Sequence, residues 1–128
     1  MSIQELRDRS KQFAIDVVKL CRGLPRDWNV RVIGQQLLRA GSAVAANHRA
    51  CGRARSDKEF CAKMGIVVEE ADESQLWLEL LVVAAPSVAG KEHKRILQEA
   101  TELTAIFSTS LRTAKDKLHA RKKAAKKT

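Results

Sequence analysis

The chain has 128 residues, a length that suits one domain with a single hydrophobic core. Apolar residues make up 45% of it, which excludes global disorder, and the formal net charge is +9. Aromatic residues make up only 4%, tyrosine is absent, and both prolines fall between long periodic segments. These features favour an all-helical protein, and the charge suits either contact with a polyanion or plain solubility.

The first half of the chain carries two rows of residues at alternating spacings of three and four, which predict helices over about 2–22 and 27–51. The first row consists of Ile3, Leu6, Ser10, Phe13, Val17, Leu20 and Leu24. The second row consists of Ile33, Leu37, Ala40, Val44, Asn47 and Cys51. Gly23 and Pro25 end the first helix, Asp27 is a suitable N-cap for the second, and Gly52 ends it. Small residues between Gly34 and Ala46 keep the second helix slim, so a neighbour can approach it closely.

The second half predicts two longer helices, over about 56–84 and from residue 88 or 91 to 118. Ser56 opens the third helix as the N-cap of a capping box, in which the Glu59 side chain reaches back to the backbone. The third row consists of Phe60, Met64, Val67, Ala71, Ser74, Leu78 and Leu81. The fourth helix has two such rows, which predict a wide buried face.

Four long amphipathic helices with short connections predict an all-α fold, an antiparallel up-down-up-down four-helix bundle with left-handed packing at about 20°. Residues 1–118 would form the bundle. Residues 119–128 hold five bases and no acids, and we expect a disordered tail or a frayed continuation of the fourth helix. Further apolar residues lie off the main rows and form either a second core row or a partner face, which favours self-association. They are Trp28, Val68, Trp77, Leu80 and Val82.

The stretch 66–80 holds five carboxylates and no base, which raises the question of a di-metal site. Such sites in bundles need Glu-x-x-His motifs on two helices, and the sequence has none, so we expect no metal and no cofactor. We interpret Glu70 and Glu73 as structural. They lie either on a solvated or salt-bridged face or, with Glu69, in a buried polar pair with Arg49 or Asn47 that fixes helix register. Asn47 itself lies on the second row, and we interpret it as a register-setting contact or a helix-end hydrogen bond.

The sequence contains no motif that is typical of an enzyme. Cys51 lies one turn from His48, but it continues an apolar row and no third orienting group is evident, so nucleophilic catalysis is disfavoured. The glycines are isolated, which excludes a phosphate-binding loop. The cysteine count is odd and there is no C-x-x-C, so we expect reduced thiols in a cytoplasmic protein. We also expect no signal peptide and no membrane contact, because no apolar run is long enough for either.

Two basic features remain as candidate nucleic-acid-binding residues. The first lies between helices two and three and consists of Arg49, Arg53, Arg55 and Lys58. The second is the C-terminal tail, with Arg121, Lys122, Lys123, Lys126 and Lys127. No aromatic residue interleaves the tail, so the pattern predicts contact with phosphates rather than stacking on bases.

Residues 41–81 resemble the bacterial four-helix-bundle family named for proteins encoded in intervening sequences of large-subunit ribosomal RNA genes. The matching positions are Ser42, Asn47, Arg55-Ser56, Glu59-Phe60, Lys63, Glu70, Glu73-Ser74 and Trp77-Leu78. That family is similar in fold to the accessory protein of diversity-generating retroelements, a pentameric barrel of bundles that works with a reverse transcriptase on RNA. The resemblance therefore implies a homopentamer.

The sequence thus leads to one main functional hypothesis and one alternative. The main hypothesis is a non-enzymatic, homo-oligomeric bundle that binds RNA or DNA electrostatically, as an accessory factor. The alternative is a protein–protein scaffold with no nucleic-acid role, in which the acidic face of helix three or the Trp77 region docks a partner protein.

Overall fold

The computed structural model describes residues 1–127, and these contain four α-helices, one 3-10 turn and no β-strand. The α-helices are α1 (Ile3–Arg22), α2 (Trp28–Cys51), α3 (Asp57–Ala84) and α4 (Lys91–Lys126), and the turn spans Pro86–Val88. The predicted all-α class is confirmed.

The beginnings of α1 and α3 are fixed by serine caps. The Ser2 hydroxyl accepts a hydrogen bond from the Glu5 backbone N–H, and the Ser56 hydroxyl accepts one from the Glu59 N–H, both at 3.0 Å. Each cap satisfies one of the backbone donors that have no partner inside the first turn. Pro25 and Pro86 lie in the connections between helices, where the absence of their N–H breaks no helical hydrogen bond.

A single core lies between the four helices, and the residues that fill it are largely those of the predicted rows. The largest fully buried side chains are Phe13, Val17, Val30, Leu37, Val44, Met64, Val67, Leu78, Leu81, Ile96, Leu103 and Phe107. Two rows need correction. Ile3 is exposed, so the core row of α1 begins later, and in α2 the buried position after Val44 is His48 rather than Asn47.

The helices contact one another in chain order, most extensively between α2 and α3, and α1 also contacts α4, less extensively. Ion pairs join α1 to α4: Arg9 donates two hydrogen bonds to Glu99, at 2.6 and 2.8 Å, and Arg95 donates one to Asp16 at 3.0 Å. Asp16 follows Arg9 in α1, whereas its partner Arg95 precedes Glu99 in α4. The two helices are therefore antiparallel neighbours. The up-down-up-down orientation of the whole and the left-handed packing angle remain predictions.

Of the two alternatives for the C-terminal segment, a disordered tail is wrong and a continuation of the fourth helix is found, because α4 extends to Lys126. Alanine, lysine and arginine are strong helix formers, and positive charges are favourable near a helix C-terminus. Arg121 also forms an ion pair with Asp57 of α3, which ties the extension to the rest of the molecule. Thr128, the last residue of the predicted tail, lies outside the described residues.

In residues 1–127, no helix combines the length and the apolar content needed to cross a membrane. Cys21, Cys51 and Cys61 are all free thiols.

Candidate nucleic-acid interface

Residues 52–56 connect α2 to α3 and turn the chain at one end of the bundle. Three exposed bases lie in this connection and in the helix turns on either side of it. Arg49 lies in the last turn of α2, Arg53 in the connection and Lys58 in the first turn of α3. We call these three residues together with Arg55 the basic corner. Cations are favoured at the C-terminus of α2, where backbone carbonyls carry partial negative charge.

Arg55 differs from the other three because its charge is partly neutralised. Its guanidinium forms an ion pair with Glu59 at 3.3 Å, and the Glu59 carboxylate also accepts the Arg55 backbone N–H at 3.4 Å. Half of the predicted capping box is therefore present as expected, with Ser56 capping the Glu59 N–H. The return hydrogen bond goes one residue further back, to Arg55 instead of Ser56.

The structure brings the C-terminal bases to this corner. Arg121 pairs with Asp57, the first residue of α3 and the neighbour of Lys58. Lys122, Lys123, Lys126 and Lys127 follow and are exposed. The two basic features that are separate in the sequence thus meet at one end of the bundle, which we call the basic end.

A further cation reaches the basic end from α1, and sequence reasoning missed it. A Cβ placed on Gly52 would lie 2.6 Å from Arg7 Nη2, so the Arg7 guanidinium rests directly against the corner. Its Nε is buried without a hydrogen-bond partner among the described residues. Nothing in the local pattern around Arg7 distinguishes it from the other bases of α1, because only the packing of α1 against α2 brings it here.

Beneath the corner lie two groups that the sequence raised as a catalytic pair. His48 is buried against Phe107, with ring centroids 5.3 Å apart, and its burial and the nearby Arg7 charge lower its pKa. Burial likewise raises the pKa of the Cys51 thiol, which disfavours the reactive thiolate. Both groups are therefore neutral at neutral pH and belong chemically to the core.

Two carboxylates of the acidic stretch of α3 form a salt-bridged face, which was one alternative, with an α2 residue that was not predicted. Arg39 of α2 binds Glu70 at 3.0 Å and Glu73 at 2.5 Å, and the Trp77 indole N–H donates to Glu73 at 3.1 Å. Hydrogen bonds from Trp77 and Arg39 lower the pKa of Glu73. The predicted pairing with Arg49 or Asn47 is wrong because those residues lie two to three turns further along α2, which takes them past Glu70.

Asn47 instead serves its own helix, since its amide donates to the Ala43 carbonyl at 2.8 Å. The remaining carboxylates of the stretch, Glu69, Asp72 and Glu79, are exposed, and no ion pair involves them within residues 1–127. In the same part of the chain, no group of three or more His, Cys, Asp or Glu side chains is arranged to hold a metal ion.

Of the apolar residues off the main rows, the structure buries some and exposes others. Val68 and Trp77 pack partly against the core, whereas Trp28 and Leu80 are exposed. Val82 is half-buried. The second row of a core and an exposed face are therefore both present.

Comparison with known proteins places this architecture among related chains. A crystal structure of a protein of unknown function from the S23 ribosomal protein family of Bacteroides thetaiotaomicron superposes with a TM-score of 0.78, at 28% sequence identity. The superposition covers 88% of this chain and 99% of that one. No curated protein matches the sequence. The sequence model of the 23S rRNA-intervening sequence proteins matches residues 4–109, a range that includes the basic corner and excludes the tail. The chain therefore belongs to the 23S rRNA-intervening sequence protein family.

Proposed function

We propose that this protein is a non-enzymatic, cytoplasmic homo-oligomer that binds RNA or DNA through the phosphate backbone at its basic end. The observation that carries the proposal is the ion pair between Arg121 and Asp57, which fixes the helical tail beside the basic corner. Free thiols at all three cysteines support a reducing compartment. Pentameric assembly remains the expectation that the family resemblance implies.

The ion pairs at the basic end leave most of its cations available. Arg121 forms an ion pair with Asp57, and Arg55 forms one with Glu59. No ion pair involves the remaining exposed bases of the corner and the tail within the described chain. These bases are Arg49, Arg53, Lys58, Lys122, Lys123, Lys126 and Lys127. Such side chains neutralise phosphates and release the counterions condensed on a nucleic acid.

The side chains of the basic end favour binding to phosphates without recognition of the base sequence. Phosphate contacts position a protein on nucleic acid, whereas base edges and stacked aromatic rings supply specificity. The tail contains no Phe, Tyr or Trp, and Phe60, near the corner, is half-buried. In a homo-oligomer, several copies of the basic end would add their weak contacts and raise the overall affinity.

A salt titration with matched charge variants tests the proposal. Binding of labelled single-stranded and duplex RNA and DNA is measured by fluorescence anisotropy between about 50 and 200 mM salt. The tail variant Lys122→Gln/Lys123→Gln/Lys126→Gln is compared with Lys11→Gln/Lys91→Gln/Lys94→Gln. Both variants lose the same charge, but the control lysines are exposed residues outside the basic end.

We expect the tail variant to flatten the slope of log affinity against log salt by about 3, close to one unit for each lost phosphate contact. The control variant should keep the wild-type slope. Absence of binding at about 50 mM salt or an affinity independent of salt would overturn the proposal. An equal decrease of the slope in the tail variant and the control variant would also overturn it. Native mass spectrometry of protein purified with and without nuclease reports stoichiometry and co-purified nucleic acid together.

The exposed apolar residues of α3 favour a second candidate, a scaffold for another protein. Leu76, Leu80 and Val83 lie on its solvent side. If capture of a specific partner survives both nuclease treatment and the tail substitutions, while nucleic-acid binding is absent, the scaffold function is the correct one.

A further inference from the structure

The outward side of α3 is unusually apolar for a solvent-facing helix surface. Leu76, Leu80 and Val83 follow one another at spacings of four and three, which places them on one stripe, and they are 48%, 37% and 76% exposed. The core-facing side of the same helix is also apolar, from Met64 to Leu81. A helix that is apolar on both sides is normally covered on both sides.

The unpaired charges of α3 along this stripe are all negative. Glu69, Asp72 and Glu79 are exposed beside it, and none forms an ion pair within residues 1–127. We call Leu76, Leu80 and Val83 with these three carboxylates the acidic ridge. Whatever covers the ridge must therefore offer both apolar surface and positive charge.

The chain itself carries a surface of that description, between the end of α1 and the start of α2. An open groove of about 380 Å³ is lined by the apolar side chains of Leu24, Pro25 and Leu38 and by two arginines, Arg26 and Arg31. Both arginines are exposed, and neither forms an ion pair in the described part of the chain. We call these five residues the basic groove.

Exposed apolar side chains continue the groove along α2. Trp28, at 75% exposure, and Val32, at 50%, lie one turn apart beside Arg31. A tryptophan so exposed is uncommon on a free surface, whereas aromatic residues and arginine are enriched in protein interfaces. The groove and its extension therefore have the composition of a contact surface.

We propose that the acidic ridge of one copy of this chain docks into the basic groove of the next copy. The carboxylates would pair with Arg26 and Arg31, and the leucines would cover the apolar floor. This inference rests on the self-association in the proposed function and specifies which surfaces form it. Neither surface complements itself, because the ridge carries only acids and the groove only bases.

The contact is consequently head-to-tail instead of two-fold symmetric. Each copy presents one ridge on α3 and one groove between α1 and α2, so a bound copy still offers a free groove or a free ridge. Repetition of such a contact produces a ring when the rotation closes and a filament when it does not. A two-fold dimer would need one patch that pairs with itself.

A complementation experiment distinguishes these geometries. The ridge variant, Leu76→Asp/Leu80→Asp, places charge in the apolar stripe and keeps an intact groove, and the groove variant, Arg31→Glu/Leu38→Glu, keeps an intact ridge. Because both altered surfaces are acidic, they cannot pair with each other. Alone, each should be monomeric by native mass spectrometry at concentrations where the wild type is fully assembled. Mixed, they should form a 1:1 dimer and nothing larger. Ile3→Asp, at an exposed apolar residue of α1 outside both surfaces, should assemble as the wild type does.

Circular dichroism establishes that each variant is folded, and a charge exchange provides a second test. A chain that combines Arg26→Glu and Arg31→Glu with Glu69→Lys, Asp72→Lys and Glu79→Lys should assemble again, because both surfaces have changed sign. Wild-type oligomers that persist in the ridge and groove variants, or a mixture that stays monomeric, would overturn this inference alone. A monomeric wild type would overturn it together with the self-association in the proposed function. Phosphate binding is judged separately, by the salt titration.

Discussion

The contact between Gly41 of α2 and Val17 of α1 allows a sharp test of how the bundle packs. A Cβ placed on Gly41 would lie 3.0, 3.1 and 3.2 Å from Val17 Cγ2, Cγ1 and Cβ. Val17 is fully buried, and a β-branched side chain in a helix has one strongly preferred rotamer, so it cannot swing aside. Overpacking of this kind costs about 1–3 kcal/mol.

Gly41→Ala also gains helix propensity, worth about 1 kcal/mol, so the net loss of stability should be about 0–2 kcal/mol. Gly65 supplies a matched control, since it lies inside α3 and a Cβ there would meet nothing within 4 Å. Gly65→Ala should therefore stabilise the protein by about 1 kcal/mol. The two variants should differ by about 1–3 kcal/mol, or roughly 3–5 °C in Tm for each kcal/mol in a domain of this size.

Thermal and urea unfolding, followed by circular dichroism, measure this difference. The double variant Val17→Ala/Gly41→Ala should lose less stability than the sum of its single variants, because the shortened Val17 side chain makes room for the new methyl group. The packing described at this contact is incorrect if Gly41→Ala proves as stable as Gly65→Ala. It is also incorrect if the two substitutions in the double variant are simply additive.

Three further outcomes follow from contacts seen in the structure. Ser56→Ala removes the cap of α3 and should lower the free energy of unfolding by about 0.5–2 kcal/mol in urea titrations. The lowered pKa of His48 means that below about pH 6.5 the unfolded chain takes up a proton that the folded chain does not. Stability should therefore fall as the pH drops through this range, and His48→Gln should remove that part of the dependence. Arg121→Ala breaks the exposed pair with Asp57. This substitution should speed amide hydrogen exchange in the last two turns of α4 and change the free energy of unfolding by less than about 1 kcal/mol. Unchanged exchange would mean that the ion pair does not anchor the helix.

The helices and most of the core were predictable from sequence, because both depend on local spacing and on residues that stop a helix. The error at Asn47 shows the limit of that reasoning. After Val44, steps of three and four residues both continue the row, and only the packing partner decides between them. Phe107 of α4 supplies that partner, since its ring lies against His48.

The residue types of the candidate site were predictable from sequence, but their contacts were not. These contacts depend on which residues of neighbouring helices lie at the same height in the bundle. The spacing on α3 indicated that Glu70 and Glu73 share a face with a polar partner on α2. It could not tell Arg39 from Arg49, which lie nearly three turns apart on the same helix. The tail illustrates the same difficulty, since its composition resembles a disordered segment and its anchor, Asp57, lies on a different helix.

The distribution of charge along α3 connects the two proposed properties. Its first turn, at Lys58 and the Arg121–Asp57 pair, belongs to the basic end, whereas the acidic ridge begins at Glu69, about 18 Å further along the helix. Exposed carboxylates at that distance weaken the attraction of a nearby phosphate chain at low salt. Docking of the ridge into a neighbouring groove would pair those carboxylates with arginine and leave the basic ends facing solvent. A folded ridge variant that no longer assembles should therefore keep the salt slope of one basic end while losing the avidity of several. An unassembled variant that bound nucleic acid as tightly as the wild type would show that the two properties are independent.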